Sequence, residues 1–278
     1  MLLLNDYKDL LPENSRAVLS SDELKRVETI QLSFEQRIQL GKLRKEIQSI
    51  CNSIVLAARD GLPWNPSWYA DTLLQHLNAR SVNALRLLSF FKQIPEFNEL
   101  NAEDKLTLVK YNLMPLVILN CSLSYNSEKR SIIEDKADAP IEPDLLMKIH
   151  SEELYGRVKK IFESFVRIAQ HDQRIIQLAL VILILTKGSS SGLCPNEPIL
   201  NDTLAVYRAQ NYYTELLWKY LETMHSHSKA IQMFNELVAH FTSWQSLHVC
   251  LHQELCDSLT PSDTNELLPI MKALLNIP

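Results

Sequence analysis

The order of apolar and polar positions along the chain is that of a helical protein. Leu40, Leu43, Ile47, Ile50 and Ile54 follow at spacings of 3, 4, 3 and 4, which lines one face of an amphipathic helix. Ser33 and Gln36 form an S-x-x-Q capping box ahead of that face, so ordered structure is expected to begin at Ser33. Residues 1–32, charged and weakly periodic, read as a hinge or linker with one turn of helix at most. Leu73, Leu77, Leu87, Phe91 and Ile94 predict a long helix over 70–94 that Pro95 stops. Asn101, three positions before Asp104, predicts the cap of another helix running toward Ser124, with Pro115 expected to kink or divide it. Residues 126–144 are polar and broken by prolines, so they read as a loop with at most a small β-ribbon.

Further helices are predicted over 145–170, 173–187, 199–224 and 229–259, and a two-turn helix over 267–276 with Pro269 in its first turn. In the 229–259 helix, Ile231, Phe234, Val238 and Phe241 are spaced for burial. Gln177 is the sole polar residue of 175–185. That stretch falls well short of the ~20 residues that span a bilayer. It is expected to be a helix enclosed by other layers.

Composition sharpens this picture. The 278 residues include only five glycines, and neither G-x-G-x-x-G nor the P-loop pattern occurs. Gly-rich hairpins and glycine-based phosphate loops are therefore not expected. The formal net charge of −5 gives no basic footprint for nucleic acid. Five scattered cysteines form no C-x-x-C pair, which argues against both a disulfide framework and a Cys-rich zinc module. His248 and His252 stand i,i+4 with His240 nearby, but no acid or cysteine completes a metal set by spacing. No G-x-S-x-G or other nucleophile signature is present, so neither catalysis, nor a metal, nor a cofactor is expected.

The run from Phe90 to Lys110 (FFKQIPEFNELNAEDKLTLVK) resembles the signature of nuclear receptor ligand-binding domains. Lys92, Pro95, Phe97, Leu100, Asp104, Leu108 and Lys110 fall in register with it. Lys105 stands where that signature has Gln, and Val109 where it has Leu. The resemblance extends over residues 33–278, and the start at Leu32 is similar to the vitamin D, liver X and ecdysone receptor group. It implies an all-α, three-layer antiparallel helical sandwich of about 10–12 helices. It also implies a nuclear transcription regulator whose zinc-dependent DNA-binding domain lies outside these residues, with no membrane or direct nucleic-acid contact from this domain.

The resemblance further points to particular residues. Leu88, Lys92, Phe97, Lys105, Leu106 and Val109 would form a groove for a coactivator or corepressor helix, with Lys92 meeting the carbonyl end of that helix. The activation helix would be Ile270, Met271, Ala273, Leu274 and Leu275. Ala273 replaces its usual acid and Lys272 stands beside it, so the helix is expected to be weakened or atypical. Asn83, Leu87, Val117, Ile118, Cys121, Ser124 and Leu251 match positions that line a ligand pocket, although core packing would use the same residues. Ser124 takes the place of a frequent Arg, which favours a neutral lipid or sterol over an acid. Trp244, Gln245, His248 and His252 are candidates for a dimer surface, in a homodimer or with a retinoid X receptor-like partner. The alternative function is a constitutive helical interaction module with a filled pocket, acting as a repressor or dimer partner.

Overall fold

A computed structural model describes residues 19–39, 73–129, 131–132, 151–187 and 197–277. Ten α-helices occupy these residues: α1 (Ser21–Gln39), α2 (Leu73–Phe91), α3 (Pro95–Glu99), α4 (Ala102–Cys121), α5 (Glu152–His171), α6 (Gln173–Ile184), α7 (Thr203–Met224), α8 (His227–Ser258), α9 (Pro261–Glu266) and α10 (Pro269–Leu274). A single antiparallel ribbon pairs β1 (Tyr125–Asn126) with β2 (Ser131–Ile132), as expected between the fourth and fifth helices. The fold is an all-α helical sandwich. The amphipathic face expected from Leu40 to Ile54 lies outside the described residues.

The middle of the sandwich is α6. All but two of its residues from Gln173 to Ile184 that face neighbours are apolar, and Ile175, Ile176, Leu178, Leu180 and Ile184 are completely enclosed. It packs against α1, α4, α5 and α7, which surround it on both sides. That explains its lack of a polar face. By length and composition α4 also passes for a membrane-spanning helix, but 56% of its most apolar window is buried inside the fold. It runs without interruption through Pro115.

Helix boundaries follow local capping chemistry. Asn101 Oδ1 accepts from the Asp104 N–H at 2.8 Å, as its spacing predicts. Asp104 then accepts from the N–H groups of Asn201 (2.7 Å) and Asp202 (2.9 Å), which joins the start of α4 to the start of α7. Burial works against its carboxylate, yet these N–H donors hold the Asp104 carboxyl below its ordinary range. Pro95 does not end the long helix. That helix closes at Phe91, and Pro95 is instead the first residue of α3, where its missing N–H costs nothing.

The first helix corrects the sequence reading. Ser33 is buried inside α1 and caps nothing. The operative box is Ser20–Glu23: Ser20 Oγ accepts from the Glu23 N–H, and the Ser20 N–H donates to Glu23 Oε2 at 2.9 Å. Val27, Ile30 and Phe34 then enter the core at helical spacing, so the packed body reaches back well before residue 33. Arg26, on the same helix, bridges Glu96 and the Tyr213 hydroxyl, which ties α1 to α3 and α7.

The burial of α8 is also out of phase with the expectation. Its enclosed residues are Ala230, Met233, Leu237, Trp244, Leu247, His248, Leu251 and Leu255, while Val238 is 49% exposed. The apolar stripe is therefore rotated by one residue, about 100° on a 3.6-residue helix.

Candidate functional site

Helices α2, α4, α5 and α8 converge on an interior cavity of about 60 Å³. Its walls are His76, Leu77 and Arg80 from α2, Met114, Val117 and Ile118 from α4, Tyr155 and Val158 from α5, and His248, Leu251, His252 and Leu255 from α8. Leu275, just past the end of α10, completes the lining. Each contributing helix turns one stripe of its inner face to the same space, which is why residues far apart in sequence meet there.

The polar groups in this cavity are few. Arg80 Nε donates to His76 Nε2 at 3.4 Å, and Arg80 Nη1 donates to the Cys121 sulfur at 3.1 Å. Burial, followed by the Arg80 charge, pushes the His76 pKa down to about 3. Burial, with His252 as the lesser cause, lowers that of His248 to about 3. The His252 pKa is also depressed by burial, against a hydrogen bond that favours its protonation. At neutral pH all three imidazoles are uncharged, so Arg80 carries the cavity's only side-chain charge among the described residues.

The terminal helix α10 seals one side of the cavity. It packs on α2 and α4 and buries Met271, Leu274 and Leu275. Two polar ties fix it. Asn78 of α2 accepts from the Leu268 N–H at 2.9 Å and donates to the Glu266 carbonyl at 3.2 Å. His252 Nε2 lies 3.1 Å from the Leu275 carbonyl, where it serves as donor. Asn276 follows at φ 53°, a left-handed position that Asn tolerates at a helix end.

The residues expected to form a coregulator groove lie around the end of α2 and the start of α4. Lys92 is exposed there, Leu88 and Val109 are half-buried, and Leu106 is 68% exposed, which is unusual for a leucine in a packed helix. Lys105 Nζ donates to the Asn98 carbonyl at 2.8 Å, and Phe97 is buried. Met271, Leu274 and Leu275 are buried, with Leu275 in the cavity wall, while Leu106 stays exposed.

Compared with protein-family models, the chain matches none. Among curated proteins, it is 22% identical over 202 residues to the vitamin D3 receptor of Gallus gallus, covering 72% of this chain and 43% of that protein. It is 23% identical over 227 residues to the nuclear hormone receptor HR96 of Drosophila melanogaster, covering 78% of this chain and 30% of that protein. To vitamin D3 receptor B of Danio rerio it is 21% identical over 238 residues, 80% of this chain and 52% of that protein. The chain is similar to nuclear receptors. It spans between about a third and about half the length of the curated relatives it matches.

The positions singled out in the sequence separate into distinct groups. Val117, Ile118 and Leu251 line the cavity, whereas Asn83, Leu87, Cys121 and Ser124 are not among its lining residues. Asn83 and Leu87 are buried on α2, Cys121 is held by Arg80, and Ser124 is half-buried at the end of the 3-10 turn after α4. Of the residues expected in the coregulator groove, Lys92 and Leu106 are exposed, Leu88, Lys105 and Val109 half-buried, and Phe97 buried. Ile270 is half-buried and Ala273 exposed.

Of the residues expected on a dimer surface, Trp244 and His248 are buried and His252 turns into the cavity. Trp244 is 3% exposed and its Nε1 donates to the Pro115 carbonyl at 3.1 Å, while His248 and His252 line the cavity. Gln245 is half-buried. As cavity residues, the sequence did not reveal His76, Leu77, Arg80, Met114, Tyr155, Val158 and Leu255. The polar members of that set look like solvent-facing positions on a helical wheel, and no spacing distinguishes a polar residue turned into a cavity from one turned into water.

Proposed function

We propose that this chain is the ligand-binding domain of a nuclear transcription regulator. A lipophilic small molecule occupies the α2–α4–α8 cavity, and a coregulator helix docks on the Leu88–Lys92–Leu106–Val109 patch. The observation that carries this reading is that one helix, α10, rests on α2 and α4 while closing the cavity through Leu275. The same two helices present the patch, so a ligand that shifts Leu275 acts on elements that bear the docking surface. The work is binding rather than catalysis, and its place is the nucleus.

The patch suits the leucines of an amphipathic partner helix, with Lys92 placed to meet that helix's negative C-terminal end. The opposite pole lacks an acid: Ala273 is exposed and uncharged, and Lys272 repels the partner's positive N-terminal end. Recruitment of L-x-x-L-L helices is therefore weak. Titration of such a peptide by fluorescence anisotropy tests this. We expect low affinity that drops further with Lys92→Ala, and tight binding insensitive to Lys92→Ala would overturn the assignment of the patch.

A second reading is favoured by one observation. A cavity of about 60 Å³ is well below the roughly 300–1,000 Å³ of sites that enclose small ligands. On this reading the chain is a constitutive interaction module, a repressor or dimer partner whose side chains fill its own pocket.

A further inference from the structure

We propose that the ligand of this cavity is an acidic amphiphile whose carboxylate seats on Arg80. This rests on reading the cavity as a ligand pocket, and it names the chemical class that the pocket takes. Arg80 is only 7% exposed and lies in the cavity wall. Its guanidinium is a cation with five N–H donors, and two of its nitrogens are engaged: Nε with His76 and Nη1 with the Cys121 sulfur. Among the described residues no Asp or Glu forms an ion pair with Arg80. Two other partly buried arginines have acids to hand: Arg26 has Glu96 and Arg174 has Asp172.

A buried charge without a counter-charge is strongly unfavourable, and the penalty is relieved by whatever anion enters. His76, His248 and His252 are neutral in the folded chain and supply hydrogen bonds only. Apart from the Tyr155 hydroxyl, the rest of the wall, including Met114, Val117, Ile118, Leu251 and Leu255, is apolar. One unpaired cation set among apolar side chains matches a molecule with one anionic head and an apolar tail. A planar carboxylate also matches the guanidinium fork, which a lone hydroxyl does not. A neutral sterol or alcohol would leave the Arg80 charge uncompensated. The neutral ligand expected from Ser124 therefore gives way: the missing cation at the end of α4 is supplied from α2. The present volume accepts a headgroup, so a tail needs the wall to open. Leu275 is the part of the lining outside the four long helices.

The test is a matched pair of probes, decanoic acid and 1-decanol, titrated calorimetrically onto the purified chain at neutral pH. The acid is expected to bind about 10-fold or more tightly, the range that a charge-assisted hydrogen bond supplies. Arg80→Gln should abolish that preference and leave alcohol binding in place. Equal affinity for the two probes overturns the anion assignment and leaves the ligand-pocket reading intact. Binding of neither probe overturns both. The wild-type comparison decides the matter by itself if Arg80→Gln does not fold.

Discussion

Asn78 and Leu268 are joined across 190 positions of sequence by a hydrogen bond of 2.9 Å from the Leu268 N–H to Asn78 Oδ1. The same carboxamide donates to the Glu266 carbonyl, so one side chain on α2 holds both sides of the elbow between α9 and α10. Leu268 is buried, and water does not replace the lost acceptor. Asn78→Ala should cost about 1–3 kcal/mol, the price of an orphaned buried donor. Hydrogen exchange should rise over 267–277 and stay unchanged in α6. Unaltered exchange over 267–277 would show that the elbow is held by packing alone.

Leu106 presents the opposite situation. At 68% exposure it contributes little to the core, so Leu106→Ala should change stability by less than about 0.5 kcal/mol. Its effect should fall on peptide binding, which the account expects to weaken several-fold. Ala273→Glu should act in the other direction and strengthen L-x-x-L-L binding by restoring an acid beside Lys272. A gain absent from Ala273→Glu would place the docked helix somewhere other than the patch.

Trp244 distinguishes a core role from an interface role. It is enclosed and its indole donates to the Pro115 carbonyl. Trp244→Ala should therefore destabilise the monomer by about 3–5 kcal/mol, as truncation of a buried aromatic does. Urea denaturation at low protein concentration reads this directly. A variant with wild-type monomer stability but impaired self-association would restore Trp244 to a dimer surface.

The buried imidazoles set an acid limit on stability. His76 and His248 have folded-state pKa values of about 3 against an unfolded value of 6.5. The unfolded chain thus takes up protons between pH 6.5 and 3 that the folded chain refuses. The stabilisation is complete above pH 6.5 and is lost as pH falls toward 3. From pH 7 to 5, each of these histidines should remove about 2 kcal/mol. Thermal melts across that range should show a steep fall that His248→Phe makes shallower. Equal melting temperatures at pH 7 and pH 5 would mean that these rings are hydrated.

The elements that the sequence revealed best are those decided by local chemistry. The Asn101–Asp104 cap, the isolation of α6 and the short helix after Pro269 depend on neighbouring residues, and each stands where spacing places it. Errors arose where local signals compete or tertiary contacts decide. Two capping boxes lie thirteen residues apart at Ser20 and Ser33, and only packing of Val27 and Ile30 selects the first. The phase of α8 depends on Trp244 finding the Pro115 carbonyl, 129 positions away. Arg80 and His76 were hidden for the same reason: a helix wheel does not reveal that four helices meet over one of its polar positions.

Native mass spectrometry of the freshly purified chain tests the central claim most directly. The account predicts a bound small molecule that dissociates on denaturation and is acidic in negative-ion mode. It also predicts loss of that mass increment when Leu251→Trp fills the cavity. A wild-type chain that carries only its own mass would contradict a ligand-holding cavity and leave the constitutive interaction module in its place.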